Sequence, residues 1–183
     1  MKTIYILLTR STTLVSKMIH YTTSADYTHV SIAFDEDLKQ LYSSARKNGR
    51  TMFPAGPCKE NLRKGYYKKH MNIPCSLYKL EVTDQVYEQA KAAAEYYIRN
   101  EQYYQYNILG LLLCRMGIPY NRSHKYFCSE FVGEILEKSG AMELEKQPSL
   151  IRPIDYTDMP DLSCEFEGTL LDLLKSKNQM QYA

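Results

Sequence analysis

The apolar positions follow two periods along the chain, and the switch between them predicts most of its elements. Lys2–Leu8 is rich in Ile, Tyr and Leu and predicts a first strand. Leu14, Val15, Met18 and Ile19 recur at helical spacing behind the hydroxyls of Arg10–Thr13 and predict a short helix over Leu14–Tyr21. Val30, Ile32 and Phe34 alternate with His29, Ser31 and Ala33, the period of a half-buried strand. Acidic Asp35–Asp37 predicts a hairpin loop, Leu38–Arg46 the returning strand, and Asn48-Gly49 a further turn. Residues 51–74 are irregular, with Pro54, Gly56, Pro57, Gly65, Pro74 and a basic run from Lys59 to Lys69, and are expected to form one long excursion.

Helical periods dominate the second half of the chain. Cys75–Val82 predicts a strand, and Thr83 or Asp84 caps a helix from Gln85 to about Arg99, with Val86, Ala90, Ala93, Ala94 and Tyr97 on one face. A second helix is expected over Tyr106–Met116, stopped by Gly117 and Pro119, and a third from near Cys128 to Gly140. Leu162, Cys164 and Phe166 predict a last strand. Strands early and late with helices between argue for an α+β domain, and 183 residues is room for a single one, 1–183, with the excursion at about 51–74.

Composition narrows the functional classes. Net charge is 23 − 21 = +2, which gives no electrostatic reason to expect a nucleic acid or a membrane as partner. No Gly-rich phosphate loop is present. The apolar run behind Lys2 is broken by Thr9 and Arg10, too soon for a signal peptide, and no stretch reaches the roughly 18 apolar residues of a membrane span. Five Cys without regular spacing fit free thiols in a reducing compartment, so a cytoplasmic location without membrane insertion is expected.

Free thiols and four His raise the question of a nucleophile pair, since a thiolate needs a base or positive neighbour. Cys114, on an apolar helix, and Cys164, on the apolar phase of a strand, are expected to be buried and inert. Cys58 and Cys75 flank the basic segment, and with His70 they match no zinc spacing, so no metal and no cofactor is expected. Cys128 stands where polar loop becomes helix, and free N–H groups there favour a thiolate and could hold an oxyanion. His29 lies on the small, polar phase of its strand and is the preferred base. His124 lies close to Cys128 in sequence but in a polar loop; His20 ends the first helix, and His70 closes the basic run. A three-residue hairpin loop would put Ser43 opposite His29 as its orienting group, and a four-residue loop would put Ser44 there.

Thr28-His29-Val30-Ser31-Ile32 at the head of a strand, followed by Tyr126-Phe127-Cys128-Ser129-Glu130-Phe131-Val132 opening a helix, resembles the permuted NlpC/P60 cysteine hydrolases of the YiiX/YebB type. Lecithin:retinol acyltransferase-like proteins share that plan, in which the histidine strand precedes the nucleophile helix. The resemblance implies a circularly permuted papain-like fold, a Cys128 thiolate, His29 as general base and, on the next strand, Ser44 or Ser43 as the third polar residue. The expected chemistry is cleavage of an amide in a small peptide or amino-acid amide, such as a wall-derived fragment, through an acyl-enzyme. The alternatives are an acyltransferase or lipid hydrolase on the same dyad, or a decayed binding protein. Tyr27 and Tyr126, each two positions before a dyad member, are expected near the cleft as substrate-binding residues. Oligomeric state is not legible.

Overall fold

The computed structural model describes residues 1–10, 26–47 and 54–180. The helix expected over Leu14–Tyr21, with His20, and the Asn48-Gly49 turn lie outside the described residues. Eight strands and five helices among the described residues, in chain order, are β1 (Lys2–Thr9), β2 (His29–Ala33), β3 (Leu41–Arg46), β4 (Ala55–Glu60), α1 (Gly65–Lys69), β5 (Pro74–Val82), α2 (Asp84–Arg99), β6 (Gln105–Tyr106), α3 (Ile108–Arg115), β7 (Lys125–Tyr126), α4 (Cys128–Lys138), β8 (Ser163–Thr169) and α5 (Leu170–Met180). Six strands form an antiparallel sheet in the order β4-β3-β2-β1-β5-β8, and β6 and β7 form a small parallel pair.

β1 lies near the middle of this sheet, and its apolar run is continuous because both its faces are buried. Ile4, Ile6 and Leu8 join Val30, Ile32, Tyr42 and Leu80 in a core shared with Ala90 and Ala94 of α2 and Phe131, Val132 and Ile135 of α4. Tyr5 and Leu7 point the other way, with Leu41, Leu77 and Tyr67 of α1, onto Leu170, Leu173 and Leu174 of α5. Helices thus cover both faces of an antiparallel sheet, the mixed α+β arrangement expected from the order of elements.

Three local expectations are corrected. The irregular excursion contains an element: β4 pairs with β3 from Leu41↔Glu60 to Arg46↔Ala55. Pro57 and Gly56 hide it in the sequence, and both are tolerated because β4 is an edge strand. The β2–β3 hairpin is wider than expected. Ile32 pairs with Tyr42 and Ala33 with Leu41, and Phe34 N–H bonds Gln40 O. This register, continued, sets Ala45 opposite His29, not Ser43 or Ser44. Asp35 holds the loop by accepting the N–H groups of Lys39 at 2.8 Å and Gln40 at 2.5 Å. Finally, Cys164, expected to be buried, is exposed on edge strand β8.

Candidate active site

Cys128 is the first residue of α4, and its side chain is 2% exposed. The helix starts there because Phe127 is extended, with ψ 172°, and because Glu130 reaches back to accept the Phe127 N–H at 3.2 Å. That is the carboxylate half of a capping box. Asn107, the N-cap of α3, donates to the same Glu130 oxygen at 3.2 Å and accepts the Gly110 N–H at 2.9 Å, so one amide joins the starts of two helices. Glu130 is 2% exposed, and burial outweighs its two hydrogen bonds and pushes its carboxyl up to about 7.

His29 heads β2 beside Thr9 of β1. Its Nε2 donates to Glu60 of β4, at 3.0 Å to Oε1 and 3.2 Å to Oε2. Both side chains are nearly buried, at 13% and 11% exposure. Ser31 donates to Glu60 Oε2, and the Tyr67 hydroxyl lies 3.4 and 3.5 Å from the two carboxylate oxygens. Burial alone would discharge the imidazole. The Glu60 charge, together with the neighbouring Cys128 side chain, reverses this and raises the His29 pKa well above its usual value. Burial likewise opposes charge on Glu60, yet its pKa is lowered by His29, Ser31 and Tyr67. With Nε2 held by Glu60, the ring nitrogen left for Cys128 is Nδ1.

Tyr106, on β6, completes the cluster. Its hydroxyl lies against both the side chain and the backbone N–H of Cys128; burial, then the Cys128 charge, raise its pKa far above that of a free phenol. The pair β6–β7 brings it there, with Tyr106 beside Tyr126, two residues ahead of the thiol.

Glu60, His29, Cys128 and Tyr106 therefore adjoin one another, although they come from β4, β2, α4 and β6. The hydroxyls considered as orienting groups are engaged elsewhere: Ser43 donates to Val30 O and Ser44 to Tyr126 O, each at 2.7 Å. The Tyr27 hydroxyl sits 2.5 Å from Ser76 Oγ. Tyr126 packs edge-on to Tyr97 and Phe131, with its hydroxyl 3.4 Å from Glu134. His124 lies beside Tyr104, and the His70 ring stacks on Tyr66. Burial pushes Cys75 up to about 12 and Cys114 up to about 11, and burial and then Glu60 raise Cys58 further. These three thiols are disfavoured as thiolates.

Glu60 and Tyr106 were missed by sequence reasoning. The one signal for Glu60 was an acid embedded in the basic run from Lys59 to Lys69, and Tyr106 was absorbed into the helix expected to begin there.

No family model matches this sequence, and no curated protein does. A solved structure does match, described as the metalloprotein YiiX from Escherichia coli O157:H7, DUF1105. At 15% identity and a TM-score of 0.56, the match covers 91% of this chain and 97% of that one. The chain has a YiiX-like fold. The name metalloprotein belongs to that neighbour. Among the described residues here, no group of three or more His, Cys, Asp or Glu side chains is arranged to hold a metal ion. No helix among them is long and apolar enough to cross a membrane.

Proposed function

We propose that this protein is a cysteine hydrolase that cleaves an amide of a small peptide or amino-acid derivative through an acyl-enzyme on Cys128. The observation that carries the reading is the continuous polar chain from Glu60 through His29 to Cys128 at a helix N-terminus. Each link has a chemical task. Glu60 fixes the tautomer of His29, holds its ring and stabilises the imidazolium, the role an orienting carboxylate plays in nucleophile triads. An imidazolium beside Cys128 is the positive neighbour a thiolate requires.

In the first half-reaction the thiol proton passes to His29 Nδ1 and Cys128 Sγ bonds to the substrate carbonyl carbon. The Cys128 N–H and the Tyr106 hydroxyl, which lies against it, are the donors we assign to the developing oxyanion, and preorganised donors of this kind commonly contribute about 3–4 kcal/mol. Collapse breaks the C–N bond, and His29 returns the proton to the leaving amine. In the second half-reaction His29 takes a proton from water, whose oxygen attacks the thioester, and the acid leaves with Cys128 restored. The order of strand His29 before helix Cys128, within a YiiX-like fold, supports a circularly permuted papain-like arrangement in a single domain.

The test is an acid-quenched reaction with p-nitrophenyl acetate. The expected result is one equivalent of rapid p-nitrophenol release and an acetyl group mapped to Cys128, both lost in Cys128→Ser and His29→Ala. An acetyl group on another residue, or none on folded wild type, overturns the reading.

A further inference from the structure

The net charge of +2 conceals an uneven distribution. Between Glu101 and Glu130 the chain has no Asp or Glu, while it has Arg115, Arg122 and Lys125. In the structure this stretch forms a lobe, residues 105–126, closed at its base by the β6–β7 pair and by Asn107, whose amide donates to Tyr120 O. Helix α3 gives the lobe two faces. Gly110, Leu111 and Cys114 are buried, with Leu111 and Cys114 packed on Phe127. Leu109, Leu112 and Met116, spaced along the other face, are 47%, 40% and 71% exposed, and Ile118 just beyond is 44% exposed. These are four of the seven most exposed large apolar side chains described in the molecule. Arg122 is exposed and Lys125 half-buried, and neither forms an ion pair among the described residues. On the buried side of α3, Glu130 accepts from the N-cap Asn107 and is itself 2% exposed, and Asp155 is paired with Arg152 and Lys146.

We infer that this lobe is a docking face for an anionic bilayer surface, with Leu109, Leu112, Met116 and Ile118 entering the headgroup boundary and Arg122 and Lys125 meeting lipid charge. The combination of exposed apolar residues, flanking cations and a stretch free of Asp and Glu from Gln102 to Ser129 is the pattern of a peripheral membrane contact, without a spanning segment. A second copy of the chain fits poorly, because an isologous contact sets the same patch against itself and would bring the cations together. A nucleic acid would leave the apolar row without a role. Since Tyr106 and Cys128 lie at the base of the lobe, docking would hold the cluster at the bilayer surface.

The experiment is sedimentation of the full chain with large vesicles, either phosphatidylcholine alone or phosphatidylcholine mixed with phosphatidylglycerol, at low and physiological salt. The chain has no Trp, so Met116→Trp also supplies a fluorescent reporter. Expected results are binding only to the phosphatidylglycerol vesicles, weakening with salt, and a blue shift of the reporter on binding. Arg122→Gln with Lys125→Gln should weaken binding about 25-fold, from roughly fivefold per charge. Leu112→Asp with Met116→Asp should abolish it, with the urea midpoint confirming that each variant is folded. No binding to anionic vesicles, equal binding to phosphatidylcholine, or unchanged affinity in the charge variant overturns the inference. A wild-type dimer that Met116→Asp converts to monomer also overturns it, in favour of a self-association face.

Discussion

Glu130 sits at the third position of α4, the helix that Cys128 opens, and the cost of charging it there can be measured directly. Its carboxyl is 2% exposed and titrates at about 7, against an ordinary value of 4.5, because burial outweighs the hydrogen bonds from Phe127 N–H and Asn107. The folded state therefore holds a proton that the unfolded chain has released over that interval. By linkage, stability falls as pH rises from about 4.5 to about 7. A displacement of about 2.5 pKa units corresponds to about 3 kcal/mol. Glu130→Gln removes the titration while keeping an oxygen able to accept both N–H groups. Urea unfolding of the two proteins from pH 4.5 to 8 cancels the contributions of His29, Glu60 and every other shared group. The variant should match wild type at pH 4.5 and exceed it by about 3 kcal/mol at pH 8. A difference that stays flat with pH, or a variant less stable at pH 8, would overturn this expectation, since it would mean that the helix N-terminus favours the carboxylate.

Three further substitutions probe the support of the site. Glu60→Gln leaves His29 with a neutral acceptor; initial rates with p-nitrophenyl acetate should fall about 100-fold or more, with a smaller effect on KM. Tyr106→Phe removes one of the two donors proposed for the oxyanion and should lower kcat about 10²-fold with Cys128 still alkylated, as read by steady-state rates and intact mass. Gly56→Ala would bring a Cβ to 2.9 Å from the backbone oxygen of Tyr104, which no side-chain rotation relieves. It should destabilise the fold by about 1–3 kcal/mol in urea unfolding and loosen β4, the strand that carries Glu60.

How legible each feature was in the sequence depends on how locally it is encoded. β1 and β5 carry apolar runs, and α2 and α4 carry helical periods bounded by local capping contacts at Thr83 and Glu130, so their spans agree with the pattern to within a few residues. The mixed α+β class followed from their order. Cys128 opens α4 and His29 heads the alternating strand β2, so each position was open to local reading, while their pairing rested on the family resemblance. Glu60 was not. Pro57 and Gly56 erase the alternation of β4, and only pairing with β3 brings the end of that strand to His29. The serine expectation failed on register. The acidic side chain of Asp35 organises a loop of residues 35–39, wider than the hairpin assumed, and shifts β3 past the serines. Tyr106 lies on a two-residue strand whose partner is 20 positions away, and no local period marks such a pairing. Tyr97 packs edge-on to Tyr104, Tyr126 and Phe131 of α4, so several of the 17 tyrosines serve as packing beside the helix that Cys128 opens.

Activation of Cys128 by a His29 held on Glu60 stands or falls on the rate of iodoacetamide alkylation at Cys128, followed by mass spectrometry from pH 5 to 10 in wild type, His29→Ala and Glu60→Gln. Wild-type Cys128 should be labelled faster than glutathione at pH 7, and both variants should lose this advantage. A wild-type rate no greater than that of glutathione, or one unchanged in His29→Ala, would mean that the thiol is not activated by this histidine.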